Sequence, residues 1–115
     1  MLQKQRSRLT AREREQAPVF AALGDGTRLA LVAKLSGGQP CSIAQLTEGF
    51  KLTRQAITKH LRVLESVGIV HSVHAGRESL FKFDPTRIEE MKGYLDFVSE
   101  QWDQALVRLK SFIED

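Results

Sequence analysis

Gln55, Thr58, Lys59 and Arg62 fall within eight consecutive positions of a 115-residue chain. Each brings a hydrogen-bond donor of a kind that reaches phosphate oxygens or the edges of bases. On a helix at about 100° per residue the four gather on one side, and no acidic residue interrupts them before Glu65. The other side carries Ile57, Leu61 and Leu64 in one line, flanked by Ala56, Val63 and Val67. One face requires a core and the other fits an anionic partner, which predicts a DNA recognition helix within Thr53 to Val70. A basic helix face is more often only solvated, so the assignment rests on the segments around it.

Those segments read helix, tight turn, helix, hairpin. Ser42-Ile43-Ala44-Gln45 is a capping box, with Cys41 in the staple position opposite Leu46. This helix is expected to run to about Gly49, after which Phe50-Lys51-Leu52 turn the chain and Thr53 caps the recognition helix. Beyond Gly68 the pattern becomes extended. Ile69 to His74 and Ser79 to Phe83 flank Ala75-Gly76-Arg77-Glu78, a turn with glycine where positive φ is required. A hairpin in this place is a wing, and Arg77 near its tip can enter a minor groove or grip a phosphate.

Two flanking regions complete the frame. Upstream, Thr10 and Glu13 form a capping box for a first helix that Pro18 should break or kink. Val19, Phe20 and Leu23 precede Gly24, and Asp25 caps a second helix with Leu29, Val32, Ala33 and Leu35 at helical spacing. Downstream, Asp84-Pro85 opens a long helix on which Ile88, Met91, Leu95, Val98, Trp102, Ala105, Leu109 and Phe112 alternate by threes and fours. At 1.5 Å per residue it would be on the order of 40 Å long, more than so small a domain can cover. That seam predicts a second copy paired through a two-fold interface.

Other chemistries find little support. The single cysteine, Cys41, excludes an intramolecular disulfide and a multi-thiolate zinc site. No H-x-E or H-E-x-x-H motif and no glycine-rich phosphate loop is present. His71 and His74 are an odd number of residues apart on a strand and point to opposite faces. No enzyme, metal or cofactor is therefore expected, and any effector is left open. The remaining alternative is a winged-helix protein-interaction module whose basic face docks an acidic protein.

The charge map agrees with a polyanionic partner. Residues 51–82 carry six basic and two acidic side chains, whereas residues 83–115 carry four and eight. Residues 1–9 read as a basic flexible tail and 10–115 as one domain. With 42% hydrophobic and 27% charged residues and no apolar run of about 20, no membrane span is expected; the absence of a secretory signal pattern predicts a cytoplasmic protein.

ALGDGTRLALVAKL (22–35), SIAQLTEGFKLTRQAITKHLRVLESVGIV (42–70) and GRESLFKFD (76–84) together resemble the ArsR/SmtB-type winged helix-turn-helix transcriptional repressors. The resemblance implies a mainly α winged helix-turn-helix fold, α-α-α-α-β-β-α, with a long C-terminal dimerisation helix. It implies a homodimer on double-stranded DNA, with Thr53, Arg54, Gln55, Thr58, Lys59 and His60 in the major groove and Arg77 in the wing. Arg62 joins them at the rim. Phe20 of the first helix is implied to meet the seam of the last at the dimer interface. The chain departs from the family at Gly26, where proline is usual, and at Lys51, where glycine is frequent. It is similar to a metal-independent sub-branch, since it lacks the cysteine pairs and C-terminal histidines of the metal sensors.

Overall fold

A computed structural model describes residues 9–114; apart from Leu9, the basic stretch 1–9 expected to be a flexible tail lies outside them. Helix α1 (Ala11–Leu23) begins at the expected capping box: the Thr10 hydroxyl accepts the Glu13 amide, and the Glu13 carboxylate accepts the Thr10 amide, both at 3.1 Å. The helix continues through Pro18 without the break that was one of the two expected outcomes. Pro18 lies on the exposed side, where water can serve a carbonyl that has lost its helical donor, while Val19 and Ala22 hold the buried side.

Asp25 caps α2 (Gly26–Leu35), its carboxylate accepting the Arg28 amide at 3.0 Å. The buried phase of α2 differs from the expected one: Leu31 and Leu35 are fully buried, while Leu29 is 56% exposed and Ala33 faces solvent. From Leu29 to Leu35 every residue but Lys34 is apolar, so spacing alone cannot choose the face and tertiary packing does. Next comes a strand absent from the expected order, β1 (Cys41–Ser42), which pairs antiparallel with Phe81 and Leu80. Two residues are too few for an alternation to be read. Ser42 then caps the short α3 (Ile43–Thr47) in the anticipated box with Gln45.

Helix α4 (Arg54–Ser66) starts on the Thr53 hydroxyl, which accepts the Ala56 amide at 3.1 Å. It ends in a Schellman motif: Gly68 N–H donates to Glu65 O and Ile69 N–H to Leu64 O, both at 3.0 Å, with Gly68 at φ +81°. Strands β2 (Val70–Ala75) and β3 (Glu78–Phe83) form the hairpin, in register Val70↔Phe83 through Ala75↔Glu78. The sheet order is β1-β3-β2. Finally α5 (Thr86–Glu114) runs 29 residues, with the Asp84 carboxylate accepting the Thr86 amide at 2.9 Å.

The core lies between α2, α3, α4 and the base of the sheet. Leu31, Leu35, Leu46, Ile57, Leu61, Leu64, Ile69, Val70 and Phe81 are almost wholly excluded from water, each contributing about 1.5–3 kcal/mol. Val19 and Ala22 of α1 and Met91 of α5 close it. The spacing of Met91 predicts a place in the inter-subunit seam; at 6% exposure it belongs instead to its own subunit's core, and Ile88 packs partly against that core as well. The reason is that the first turns of α5 lie against α1: Phe20 meets Tyr94 edge-on at 6.1 Å, and the Arg12 guanidinium stands over the rings of Tyr94 and Phe97. Beyond that point α5 has no cover. No helix among the described residues is long and apolar enough to cross a membrane.

The phase of α2 is directly measurable. Leu31→Ala should cost about 2–5 kcal/mol in denaturant unfolding, and Leu29→Ala less than about 0.5 kcal/mol; equal losses would show that α2 buries the other face.

Candidate nucleic-acid interface

The outward face of α4 follows from what the inward face must do. With Ile57, Leu61 and Leu64 fixed in the core, the 100° step sends Gln55, Lys59 and Arg62 outward, with Arg54 exposed in the first turn. Among the described residues the side chains of Arg54, Gln55 and Lys59 make no hydrogen bond or ion pair. Together with Thr58 and with Ile43 of α3 they line one shallow concavity at the start of the helix. Thr58 is half-buried and its hydroxyl donates to the Arg54 carbonyl at 2.7 Å. It can still accept a bond and offer a methyl, the group that meets thymine. Thr53 is exposed, but its hydroxyl oxygen already serves as the helix cap.

Two residues expected on this face are used elsewhere. His60 is turned toward α2, where its Nδ1 lies 3.2 Å from an Arg28 guanidinium nitrogen and 3.8 Å from the Asp25 carboxylate. Because arginine can only donate, a hydrogen bond between the two has Nδ1 as its acceptor. Arg28 also donates through Nε to the Ala22 carbonyl at 2.6 Å. One guanidinium thus joins the end of α1 to α4. The Arg28 amide is the main reason that the Asp25 carboxyl is held below its ordinary range. Neither Asp25 nor Arg28 could be assigned this task from periodicity; Asp25 reads only as a cap.

Arg62 is likewise paired inside the subunit. It donates to Glu65 at 2.8 Å and its guanidinium stands 5.9 Å from the centre of the Phe81 ring. The same Glu65 carboxylate accepts the Ser72 amide at 3.1 Å and the Ser72 hydroxyl at 2.6 Å. The Ser72 hydroxyl, followed by Arg62, keeps the Glu65 carboxyl below the usual carboxylate range. Helix and wing are fastened together here, through Glu65 and Ser72, which no motif in the sequence singles out.

The wing itself is as anticipated at its tip. Gly76 and Arg77 form the two-residue loop between Ala75 and Glu78, with Gly76 at φ +63° and no positive φ at Arg77, the pattern of a type II′ hairpin. Arg77 is exposed and makes no bond to other described residues. At the wing's foot, His71 Nε2 and Asp84 Oδ2 are 2.6 Å apart. His74 is exposed farther along the strand. No group of three or more His, Cys, Asp or Glu side chains able to hold a metal ion is found among the described residues.

These features define a winged helix-turn-helix DNA-binding protein: α3, a turn, α4 with an open basic face, and a hairpin carrying arginine at its end. Comparison with known proteins supplies the family. A family model described as a helix-turn-helix domain matches residues 23–73. The chain is 32% identical over 95 residues to the HTH-type transcriptional regulator Rv2034 of Mycobacterium tuberculosis, covering 83% of this chain and 85% of that one. An ArsR-like transcriptional regulator from Rhodococcus superposes with a TM-score of 0.75 at 34% identity, covering 86% and 92% of the two chains. A homodimeric winged helix-turn-helix DNA-binding domain from Mycobacterium bovis shares the fold, with a TM-score of 0.61 at 17% identity over 85% of this chain and 94% of that one. The protein belongs to the ArsR/SmtB-type winged helix-turn-helix transcriptional regulators and is a DNA-binding regulator of transcription. The protein-interaction module, the alternative left by the sequence, gives way to this.

The wing's foot yields a pH measurement. The Thr86 amide, then its hydroxyl, then His71 lower the Asp84 carboxyl from 3.8 to about 2. A depressed carboxyl contributes stability that is present above about pH 4 and lost as pH falls through about 2. Carboxyl NMR titration should place the Asp84 midpoint near 2, and His71→Ala should raise it; an Asp84 midpoint near 3.8 would mean that these bonds are not made in solution.

Proposed function

We propose that the protein acts as a homodimeric repressor that occupies an inverted-repeat operator. The observation that carries this reading is the course of one face of α5. Its beginning, at Ile88 and Met91, is covered by the subunit's own core, and the same face continues through Leu95, Val98, Trp102, Leu106, Leu109 and Ile113 with no cover. Trp102 is 64% and the neighbouring Phe112 80% exposed, and so continuous an apolar stripe on a small domain signals a partner surface. The homodimeric relative from Mycobacterium bovis has the same fold, which supports a second copy as that partner. Phe20 is half-buried against Tyr94 at the inner end of the stripe, and Ala105 is half-buried within it. Met91 drops out of the interface.

A two-fold axis along α5 presents two α4 helices to half-sites about one helical turn of DNA apart. Arg54, Lys59 and Arg77 supply phosphate attraction, Gln55 reads base edges, and Thr58 contributes an acceptor and a methyl. Thr53 positions the helix and its exposed backbone amides near the groove. His60 and Arg62, committed to Arg28 and Glu65, support the reading face rather than touch bases. Repression then follows from occupancy of the operator. The domain from residue 10 onward works as one unit in this account, and the metal-independent branch fits a chain whose Cys41 thiol is engaged with the Gln39 carbonyl.

Titration of an operator selected from random duplexes tests the reading face. Gln55→Ala should relax sequence preference, while Lys59→Ala should weaken all sequences and reduce the salt slope by about one; unchanged binding in both variants overturns the assignment. For the pairing, Trp102→Glu should convert a sedimenting dimer to a monomer and lower operator affinity by at least about tenfold. A wild-type protein that sediments as a monomer at the concentrations where it binds would remove the dimer.

A further inference from the structure

Strand β2 is an edge strand, because the sheet order is β1-β3-β2. Its outward amides have no strand to bond. Ser72, opposite Phe81 in the register, sends its amide away from β3 to Glu65 Oε2 at 3.1 Å, and its hydroxyl to the same oxygen at 2.6 Å. The other oxygen, Oε1, accepts from Arg62 at 2.8 Å. The Arg62 guanidinium in turn stands over the ring of Phe81, the residue paired with Ser72. One carboxylate on the reading helix therefore fastens both strands of the wing at a single rung.

That rung is where control of the wing matters most. Phe81 at the rung and Val70 below it are fully buried, and β1 holds β3 at Phe81 and, one residue nearer the tip, at Leu80. Above it, β2 runs from Ser72 to Ala75 along the edge, and the loop Gly76-Arg77 follows. Arg77 is five residue steps beyond Ser72; at about 3.3 Å each they make a lever of at most roughly 16 Å. A swing of about 10° at the rung would carry the tip roughly 3 Å, the length of a hydrogen bond.

We propose that Glu65 is a positioning residue for DNA recognition: it locks the wing to α4 so that Arg77 and the outward face of α4 meet one duplex in fixed relation. The inference rests on the reading that both α4 and the wing touch DNA. In this account Glu65 acts through Ser72 and Arg62, which its carboxylate holds, and not by touching DNA. It acts by removing a hinge motion that would otherwise have to be frozen on binding.

A double-mutant cycle on the full-length protein tests this, with operator affinity read by fluorescence anisotropy at fixed salt and folding checked by thermal melts. In the wild-type background Arg77→Ala should weaken binding about fivefold. In the Glu65→Ala background the same change should cost less than about twofold, because the tip is no longer held in place. Glu65→Gln, which keeps an acceptor for Ser72, should restore most of the dependence on Arg77. Should Glu65→Ala fail to fold, the cycle is run on Ser72→Ala, where the cost of losing Arg77 should again shrink. Equal costs in both backgrounds overturn the positioning role and leave the wing contact standing. No cost of Arg77→Ala in the wild type overturns the wing contact itself, and the positioning role with it.

Discussion

The structure depends on α4 satisfying two solvents at once. Ile57, Leu61 and Leu64 are fully buried, and the side chains a third to a half turn away are open. Advancing the helix by one residue would put Thr58, Arg62 and Glu65 in the places of Ile57, Leu61 and Leu64, burying charge at a cost of several kcal/mol. The ends leave as little freedom: Thr53 closes one terminus and the Schellman turn at Gly68 the other. The reading surface is thus the residue of a packing problem with one solution. Its exposure needs no separate explanation.

Much of this was legible in the sequence, because it is encoded locally. The caps at Thr10, Asp25, Ser42 and Thr53 all form as their residue types dictate, and Gly76 takes the positive φ its turn requires. The buried line of α4 emerges because that helix separates apolar from polar residues cleanly. Helix α2 does not, and there the choice of Leu31 over Leu29 came from neighbours that periodicity cannot see. Pro18 does not break α1, because the missing donor falls on the side of the helix that faces water. The two-residue β1 exists only as a partner for β3, and no local signal marks it.

The polar residues of the candidate site were harder to read than the apolar ones, for a related reason. Arg62 has the chemistry of a DNA contact and lies near the outward face on a helical wheel, whereas His60 lies about 60° from Ile57 on the apolar side and enters the set only through the family resemblance. What the sequence does not show is that each has a partner in its own subunit, Glu65 at the end of the same helix and Arg28 on a helix far away in sequence. Charge that is already matched inside the subunit is a poor ligand for phosphate. The side chains left without partners, Arg54, Gln55, Lys59 and Arg77, describe the reading surface more economically than the full basic set.

Where α4 ends and α5 begins, the two elements touch almost without intervening matter. A methyl group at Gly68 would stand 3.2 Å from Arg87 Nε and 3.4 Å from its Cγ, so the stem of that arginine lies directly on bare backbone. The root of the long helix is therefore seated against the exit of the reading helix. In a pair of subunits joined along α5, the span between the two heads would be set by this joint inside each subunit. Operators with an inserted or deleted base pair between half-sites would then meet a ruler of fixed length.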